Sequence, residues 1–294
     1  MTGLSIIIPA HNEASVIGRT LTSILANRLD RPLQVIVVAN GCTDNTAEVV
    51  SREFAGRVEV IETPVGNKTN ALNLGDRAAK YDIRAYLDAD IELSDNALQS
   101  VVDALQDPSV HLAMPRARHI YRGRNPFLAG YYNLWRSMPY VRNAAMGGGF
   151  YAIDKELRSR FTEFPILTAD DKFARNLAKP SERRVVDGCH ATVTMPQTFA
   201  DLLKVKTRWT YGNLELSSLR PDLNENDKRK HKGAFTYLLA RPWLWLNVPA
   251  FVFVYVYAQF AARKRFALKQ AVWERDESTR PFAGPPVQTA QQPM

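Results

Sequence analysis

The sequence predicts an α/β fold: a mostly parallel sheet with flanking helices, followed by a C-terminal hydrophobic helical segment. Three observations carry this. Short β-branched runs alternate with amphipathic stretches over roughly the first third of the chain. Polar, turn-forming clusters close each of those runs. Residues 243–262 contain no Asp, Glu, Lys, Arg or His. Strands that alternate with helices pair in parallel, because each helix carries the chain back across the sheet.

The elements follow in order. Residues 4–9 (LSIIIP) read as a buried strand. Asn12 can cap a helix whose Ile17, Leu21, Ile24 and Leu25 fall on one face. A second strand at 34–39 (QVIVVA) leads into a polar turn at 40–46 and a helix at 47–54. A third strand, 58–62, precedes a helix at 68–80. A fourth, 83–87, ends at Asp88, and Ser94 or Asp95 opens a helix with Leu98, Val101, Val102 and Leu105 inward. Residues 111–114 make a fifth strand. Ligands of such sheets sit at the carboxyl ends of the strands, here 11–12, 40–44, 62–66 and 88–90.

The middle is less regular. Residues 116–142 mix Tyr, Trp and Arg without a clear period, and 146–150 (MGGGF) read as a flexible loop of close approach. A capped helix starts at 168–177, strands are expected at 184–187 and 191–195, and a long helix at 199–219. The expected organisation is a catalytic-size domain over 1–225, a basic-flanked hydrophobic segment over 226–270, and a disordered tail over 271–294.

Composition narrows the function. Of 294 residues, 46% are hydrophobic and 23% charged, which excludes a wholly disordered, collagen-like or disulfide-scaffold protein. A net charge of +8 suggests an anionic partner: nucleic acid, a phosphorylated ligand or an acidic membrane. The basic residues cluster beside the apolar run, so a lipid surface is the simpler partner and nucleic acid is not expected. Cys42 and Cys189 read as free thiols in a reducing compartment. The N-terminus carries no signal-peptide pattern, so the catalytic part is expected in the cytoplasm.

At 1.5 Å per residue the apolar run is about 30 Å long as a helix, the thickness of a bilayer core. It can span a membrane, lie on one, or pack as a core helix. Asn247 and Pro249 weaken a straight span, while Trp243, Trp245, Tyr255 and Tyr257 suit an interface. Basic clusters at 227–232 and 263–265 flank both ends. The positive-inside rule would hold both in the cytoplasm, which one span cannot do. A re-entrant or interfacial segment that includes 235–240 fits as well, on the cytoplasmic face of the inner or plasma membrane.

Several residues carry chemistry. Asp88-Ala89-Asp90 closes a strand, and two carboxylates at i, i+2 suit a hard divalent cation; the bland alternative is an acidic turn. Asn and Thr at 40–46 can cap a helix or face an anion at its N-terminus. Lys68 lies in a GNKT stretch that lacks the spacing of a P-loop, and no GxGxxG follows the first strand. Adjacent Asp170 and Asp171 repel, so one can have a raised pKa and act as a base, or both can simply favour a helix N-terminus. Arg208-Trp209 offers a cation for a diphosphate and a flat face for a sugar, or a core Trp beside a surface Arg.

Together these residues resemble the family 2 glycosyltransferases, which have the GT-A fold. The resemblance runs from SIIIPAHNE at 5–13 through 40–46, Lys68 with the ALN at 71–73, the DxD-like 88–90, the glycines at 147–149, Asp170-Asp171 and Arg208-Trp209. It implies an inverting, metal-dependent transfer of a sugar from a nucleotide-diphosphate donor, with a UDP-sugar favoured, to an acceptor hydroxyl. Lipid-linked or polysaccharide acceptors are implied, as in bacterial polysaccharide or glycolipid assembly. Pro9, Ala10, Asn12, Glu13 and Asn40 would line the nucleoside pocket, with Lys68, Asp88, Ala89 and Arg208 also on the donor. Asp90 would bind Mn²⁺ or Mg²⁺, with His190 as a candidate third ligand. Asp171 would be the general base. Gly147, Gly148, Gly149, Asp170 and Trp209 would face the acceptor. Two departures stand out. Asn40 replaces an acid usual in the family, and Val205 stands where a Q-x-x-R-W motif has Gln. The second, with a single apolar segment, favours single transfer over processive synthesis. A nucleotidyltransferase, or an inactive nucleotide-sugar-binding scaffold, are the rival readings.

Overall fold

The computed structural model describes residues 3–138, 141, 148–227 and 234–268. Its centre is an eight-stranded mixed sheet in the order β3-β2-β1-β4-β7-β6-β8-β5. These strands are β1 (Leu4–Ala10), β2 (Leu33–Asn40), β3 (Glu59–Thr63), β4 (Ile83–Leu87), β5 (Glu92–Leu93), β6 (Leu112–Ile120), β7 (Phe150–Ile153) and β8 (Arg183–Thr194). β1, β2, β3 and β4 pair in parallel, as the alternation predicts. β7 is antiparallel to both β4 and β6, so it runs against both neighbours, and β5 is antiparallel to β8. β6 and β8 are parallel to each other.

Every residue of β1 is buried. Strand alternation sends Leu4, Ile6, Ile8 and Ala10 into one core and Ile7 into another. The first core is covered by α1 (Ile17–Ala26), α2 (Thr46–Glu53) and α4 (Ala97–Ala104). The second is covered by α3 (Lys68–Ala78), α6 (Lys155–Ser159), α7 (Asp170–Leu177) and part of α8 (Phe199–Leu219). A sheet buried on both faces explains why its central strands read as continuous apolar runs.

The structure revises several sequence expectations. The aperiodic stretch after residue 116 contains α5 (Pro126–Ser137), capped by Asn125, whose side chain accepts from the backbone N–H of Phe127 and Leu128. β6 runs well past residue 114, and the two strands expected between 184 and 195 are one strand with an irregularity opposite Pro115/Arg116. α1 starts at Ile17 with Val16 as its cap, so Asn12 does not cap it.

The apolar C-terminal segment is a short 3₁₀ stretch, Pro242–Asn247, followed by α10 (Val248–Ala267). Pro249 falls in the first turn, where its missing N–H costs nothing. Lys264 and Arg265 lie in the last turn, where cations suit the helix dipole. Val254 packs with Leu128, Tyr131, Tyr132 and Trp135 of α5, and Phe251 stacks on Tyr131 at 5.7 Å. Only one face of α10 is used this way. Val252, Val256 and Phe260 are about half exposed or more. The 3₁₀ stretch and α10 together are long and apolar enough to cross a membrane. The helix α9 (Ala234–Leu239) precedes them. Residues 228–232 of the basic cluster and the tail at 271–294 lie outside the described residues.

Candidate active site

Three loops at the carboxyl ends of β1, β2 and β3 meet. Asn12 adopts a left-handed backbone (φ 56°), which asparagine tolerates better than most residues. That conformation turns its Oδ1 to accept from the backbone N–H of Thr43 at 2.7 Å and of Asp44 at 3.2 Å. The N–H of Glu13 donates to Thr46 Oγ1 at 2.8 Å. His11 Nδ1 lies 2.6 Å from the Asn40 carbonyl oxygen. Gly41 has φ +57°, and a Cβ there would lie 2.6 Å from Gly66 Cα, so only glycine lets the two loops touch. Asn40 is buried, and its Nδ2 donates to the Ala10 and Val38 carbonyls at 2.8 and 3.3 Å. Both partners are acceptors, so the amide orientation is fixed and Oδ1 is left as an acceptor.

Beside these loops is a pocket lined by Pro9, Lys68, Asp88, Gly149, Asp170 and Asp171, with Tyr151 in its wall. Asp88 is set by the residue just before β7: its N–H donates to the Gly149 carbonyl at 2.8 Å. Gly149 has φ +60°, and a Cβ there would meet Ile91 at 2.7 Å and Asp88 Oδ2 at 3.1 Å. Ala89 is buried, and its carbonyl accepts from Thr20 Oγ1 of α1 at 2.8 Å. Asp88 and Asp90, on either side of it, are both half-buried.

Lys68 Nζ bridges two carboxylates, Asp88 Oδ1 at 2.7 Å and Asp170 Oδ1 at 2.9 Å. Lys68 is the first residue of α3, whose cap Asn67 accepts from the Asn70 N–H at 2.9 Å. A cation there opposes the helix dipole, so the carboxylates are what hold it. Burial alone would pull its pKa down, but Asp170 and Asp88 outweigh burial and raise it. Asp170 opens α7 and is buried. Burial, with Asp171 and Asp88 adding repulsion against Lys68, lifts its pKa to about 6. Asp171 is exposed, and its Oδ1 accepts from the N–H of Lys172 at 2.7 Å. α8 presses on this segment: a Cβ on Gly212 would lie 3.0 Å from Ala169 Cβ, and Thr168 N donates to Glu215 Oε2 at 2.6 Å.

The remaining expected residues fall around this centre. Gly148 stands over Ala117 of β6, and Gly147 lies outside the described residues. Trp209 is 37% exposed on α8, and Arg208 is half-buried beside it. His190 does not join the aspartates in a ligand set: its Nε2 is 3.5 Å from Arg118 Nη1, and among the described residues no three His, Cys, Asp or Glu gather to hold a metal. Two residues escaped the sequence reading. The Tyr151 hydroxyl is buried without a hydrogen-bond partner, and burial pushes its pKa well up. Its place just after the glycines, in the short apolar run FYAI, was the available signal. Lys206 stands between two tryptophans; its offset of three from Trp209 on a helix was the signal there.

An α/β sheet with an acidic, lysine-bridged pocket at the carboxyl edge of its parallel strands is the arrangement of a nucleotide-binding enzyme fold. The sequence profile described as Glycosyl transferase family 2 matches residues 5–153, just over half of the chain, and the chain belongs to that family. It is 35% identical over 129 residues to a chondroitin synthase of Escherichia coli, covering 40% of this chain and 19% of the relative. It is 33% identical over 127 residues to a pre-mycofactocin glycosyltransferase of Mycobacterium tuberculosis, covering 42% and 25%. The matches thus span a fifth to a quarter of those relatives' length. Two solved structures share the fold. Staphylococcus aureus TarS 1-349 in complex with UDP has a TM-score of 0.53 at 14% identity, covering 94% of this chain and 95% of that one. The mannosyltransferase PcManGT from Pyrobaculum calidifontis, in complex with GDP-Man and Mn²⁺, has a TM-score of 0.54 at 20% identity, covering 92% and 76%.

Proposed function

We propose that the chain is an inverting glycosyltransferase that moves a sugar from a nucleotide-diphosphate donor, with UDP favoured, to a hydroxyl of a lipid-linked or saccharide acceptor at a membrane surface. The observation that carries this reading is the Lys68 bridge between Asp88 and Asp170 inside the pocket. It puts a fixed cation, a strand-end carboxylate and a candidate base within one contact of each other. Asn40 Oδ1, left as an acceptor, can take the ring N–H of a uracil, thymine or guanine base, so the UDP preference rests on the family resemblance. Pro9, Ala10, Asn12, Glu13 and Ala89 shape the nucleoside side; Lys68 and Arg208 face the diphosphate.

The oxygen ligands fit a hard cation. Mg²⁺ or Mn²⁺ needs only one or two carboxylates when waters and substrate phosphates fill the rest of its shell, so Asp90, with Asp88 on the bound waters, would hold it without His190. When bound, the ion would offset charge developing on the leaving diphosphate. Lys68 contributes to the same end from the protein, because a preformed cation needs no reorganisation.

The acceptor hydroxyl loses its proton as it attacks the anomeric carbon. The resemblance assigns that proton to Asp171. Both carboxylates line the pocket. Asp170 is a second candidate, because burial lifts its pKa to about 6, where a general base is effective, although it is paired with Lys68. Asp171 is exposed, and its Oδ1 accepts from the N–H of Lys172. Asp171, Gly147, Gly148, Gly149 and Trp209 belong to the acceptor side.

The test is a donor panel. Purified protein with Mn²⁺ is assayed against UDP-, GDP- and dTDP-sugars for binding and nucleotide release, with EDTA, Asp170→Asn and Asp171→Asn as controls. Metal-dependent release from one donor, lost in either variant, supports the transferase. Nucleotide binding with no release in the presence of membrane extract favours the scaffold reading. Failure to bind any donor overturns the assignment.

A further inference from the structure

Two tyrosines stand side by side in the sheet, and the fold treats their hydroxyls oppositely. Tyr86 of β4 and Tyr151 of β7 are register partners, and their rings stack at 5.1 Å with 29° between the planes. Both are almost wholly buried. The Tyr86 hydroxyl donates to Asp76 Oδ1 at 2.7 Å, and Asp76 in turn meets Arg84 and Arg158. The Tyr151 hydroxyl has no hydrogen-bond partner among the described residues. A phenylalanine would fill the same space without stranding a polar group, so this oxygen costs the folded chain free energy. A ligand oxygen that met it would recover that cost.

The surroundings define which kind of oxygen fits. Tyr151 lines the pocket together with Lys68, Asp88, Asp170 and Asp171. Lys68 Nζ is already held by Asp88 and Asp170. Burial, and after it the charge of Asp170, push the Tyr151 pKa well up. The phenol therefore stays neutral at working pH and keeps its proton to donate. An anionic oxygen beside it would face three carboxylates against one ammonium. A hydroxyl suits the place better, because one oxygen can accept from the phenol and donate to a carboxylate. The space agrees: the cavity is about 20 Å³, room for about one water-sized oxygen and not for a ring.

We propose that Tyr151 is a specificity-determining residue of the donor site: its hydroxyl donates to one hydroxyl oxygen of the nucleotide-sugar, and that hydroxyl donates to a pocket carboxylate. This rests on the glycosyltransferase reading above. The hydroxyl can belong to the ribose or to the transferred sugar, and the probes separate the two. Binding and folding should respond to the same phenol oxygen in opposite senses.

The experiment compares the full wild-type chain with Tyr151→Phe, which removes a single oxygen. UDP-glucose, UDP-N-acetylglucosamine and GDP-mannose are titrated by calorimetry. The tightest is then compared with its own nucleoside diphosphate and with the 2′- and 3′-deoxy forms of that diphosphate. Tyr151→Phe should bind the nucleotide-sugar about tenfold more weakly, the loss of one hydrogen bond. Its unfolding midpoint in denaturant should equal or exceed that of the wild type, because an unmet hydroxyl is removed. Tyr86→Phe, which breaks the bond to Asp76, should lower the midpoint. Diphosphate affinity that is the same in wild type and Tyr151→Phe assigns the contact to the transferred sugar. A diphosphate that loses the same factor, with one deoxy form binding both chains alike, assigns it to the ribose. Equal binding of the nucleotide-sugar by both chains overturns the proposal alone and leaves the hydroxyl to a water. A lowered midpoint in Tyr151→Phe also overturns it, because the hydroxyl then serves the fold. Failure of the wild type to bind any probe overturns the transferase reading and the proposal with it, whereas a deficit confined to the variant leaves that reading intact.

Discussion

Lys68 meets Asp170 at 2.9 Å, and the carboxylate is almost wholly buried while the lysine is about a quarter exposed. The same nitrogen meets Asp88 at 2.7 Å. Two carboxylates on different elements thus share one ammonium. Removing it leaves a buried charge unanswered, which costs about 3 kcal/mol or more. Lys68→Met should lower the midpoint of denaturant unfolding accordingly and weaken nucleotide-diphosphate binding at least tenfold, since the pocket then presents only acids to an anion. Lys68→Arg should recover part of the stability. An unchanged unfolding midpoint in Lys68→Met would show that the bridge does not hold the site.

Asp170 and Asp171 are adjacent in sequence but differ in surroundings, and kinetics can tell them apart. General-base catalysis is worth about 10²–10⁴ in rate. With Asp170 as the base, Asp170→Asn should cost at least a hundredfold in kcat with donor binding retained, and Asp171→Asn less than tenfold. Asp170 must be ionised to accept a proton, and its folded pKa is raised to about 6. kcat/KM should therefore be full above that pH and fall as pH drops through it. A hundredfold loss in Asp171→Asn with an active Asp170→Asn would return the base to Asp171.

Gly149 and Gly56 both have positive φ, but only Gly149 is crowded: a Cβ would meet Ile91 and Asp88, whereas nothing lies within 4 Å of one on Gly56. Gly149→Ala should cost about 2–3 kcal/mol from strain and overpacking together, and it should displace Asp88 and weaken Mn²⁺-supported donor binding. Gly56→Ala should cost about 1 kcal/mol from backbone strain alone and leave donor affinity intact. Calorimetric unfolding and donor titration of the pair check this.

Much of the fold was legible because its centre is simple. β1 and β2 are buried on both faces, so they appear as unbroken apolar runs, and their ends are marked by His11-Asn12 and Asn40-Gly41. The DxD-like turn and Lys68 were legible for the same reason: they sit just past strand ends or at a helix start. What was hidden depends on tertiary contact. β7 has only four residues and begins straight after glycines. α5 had no clear period because Tyr131, Tyr132 and Trp135 pack toward both α8 and α10. β8 is one strand although Gly188, at φ +81°, breaks its pattern. Adjacency could not say that Asp170 is buried and Asp171 exposed. The Lys206 contact with Trp135 exists only once α5 and α8 come together.

α10 offers a direct test of membrane contact. Val254, Ala258 and Ala262 are buried, so the helix is fixed to the protein along one face. Val252, Val256 and Phe260 are 48%, 56% and 70% exposed on the other. An exposed apolar face of this extent marks an interaction surface, and Arg263, Lys264 and Arg265 follow it at once. A helix held along one side suits lying in the interface better than crossing it. The protein should therefore float with vesicles of three parts phosphatidylcholine to one part phosphatidylglycerol, and less well with phosphatidylcholine alone, since each basic residue near an anionic surface adds about 1 kcal/mol. Replacing Val252, Val256 and Phe260 together by Glu should reduce flotation at least tenfold while leaving the unfolding midpoint nearly unchanged, because none of the three is buried. Raising the salt to 0.5 M should weaken binding of the wild type without abolishing it, because screening removes the charge attraction and not the apolar burial. Full flotation of the triple variant would show that this face is not the one that meets lipid.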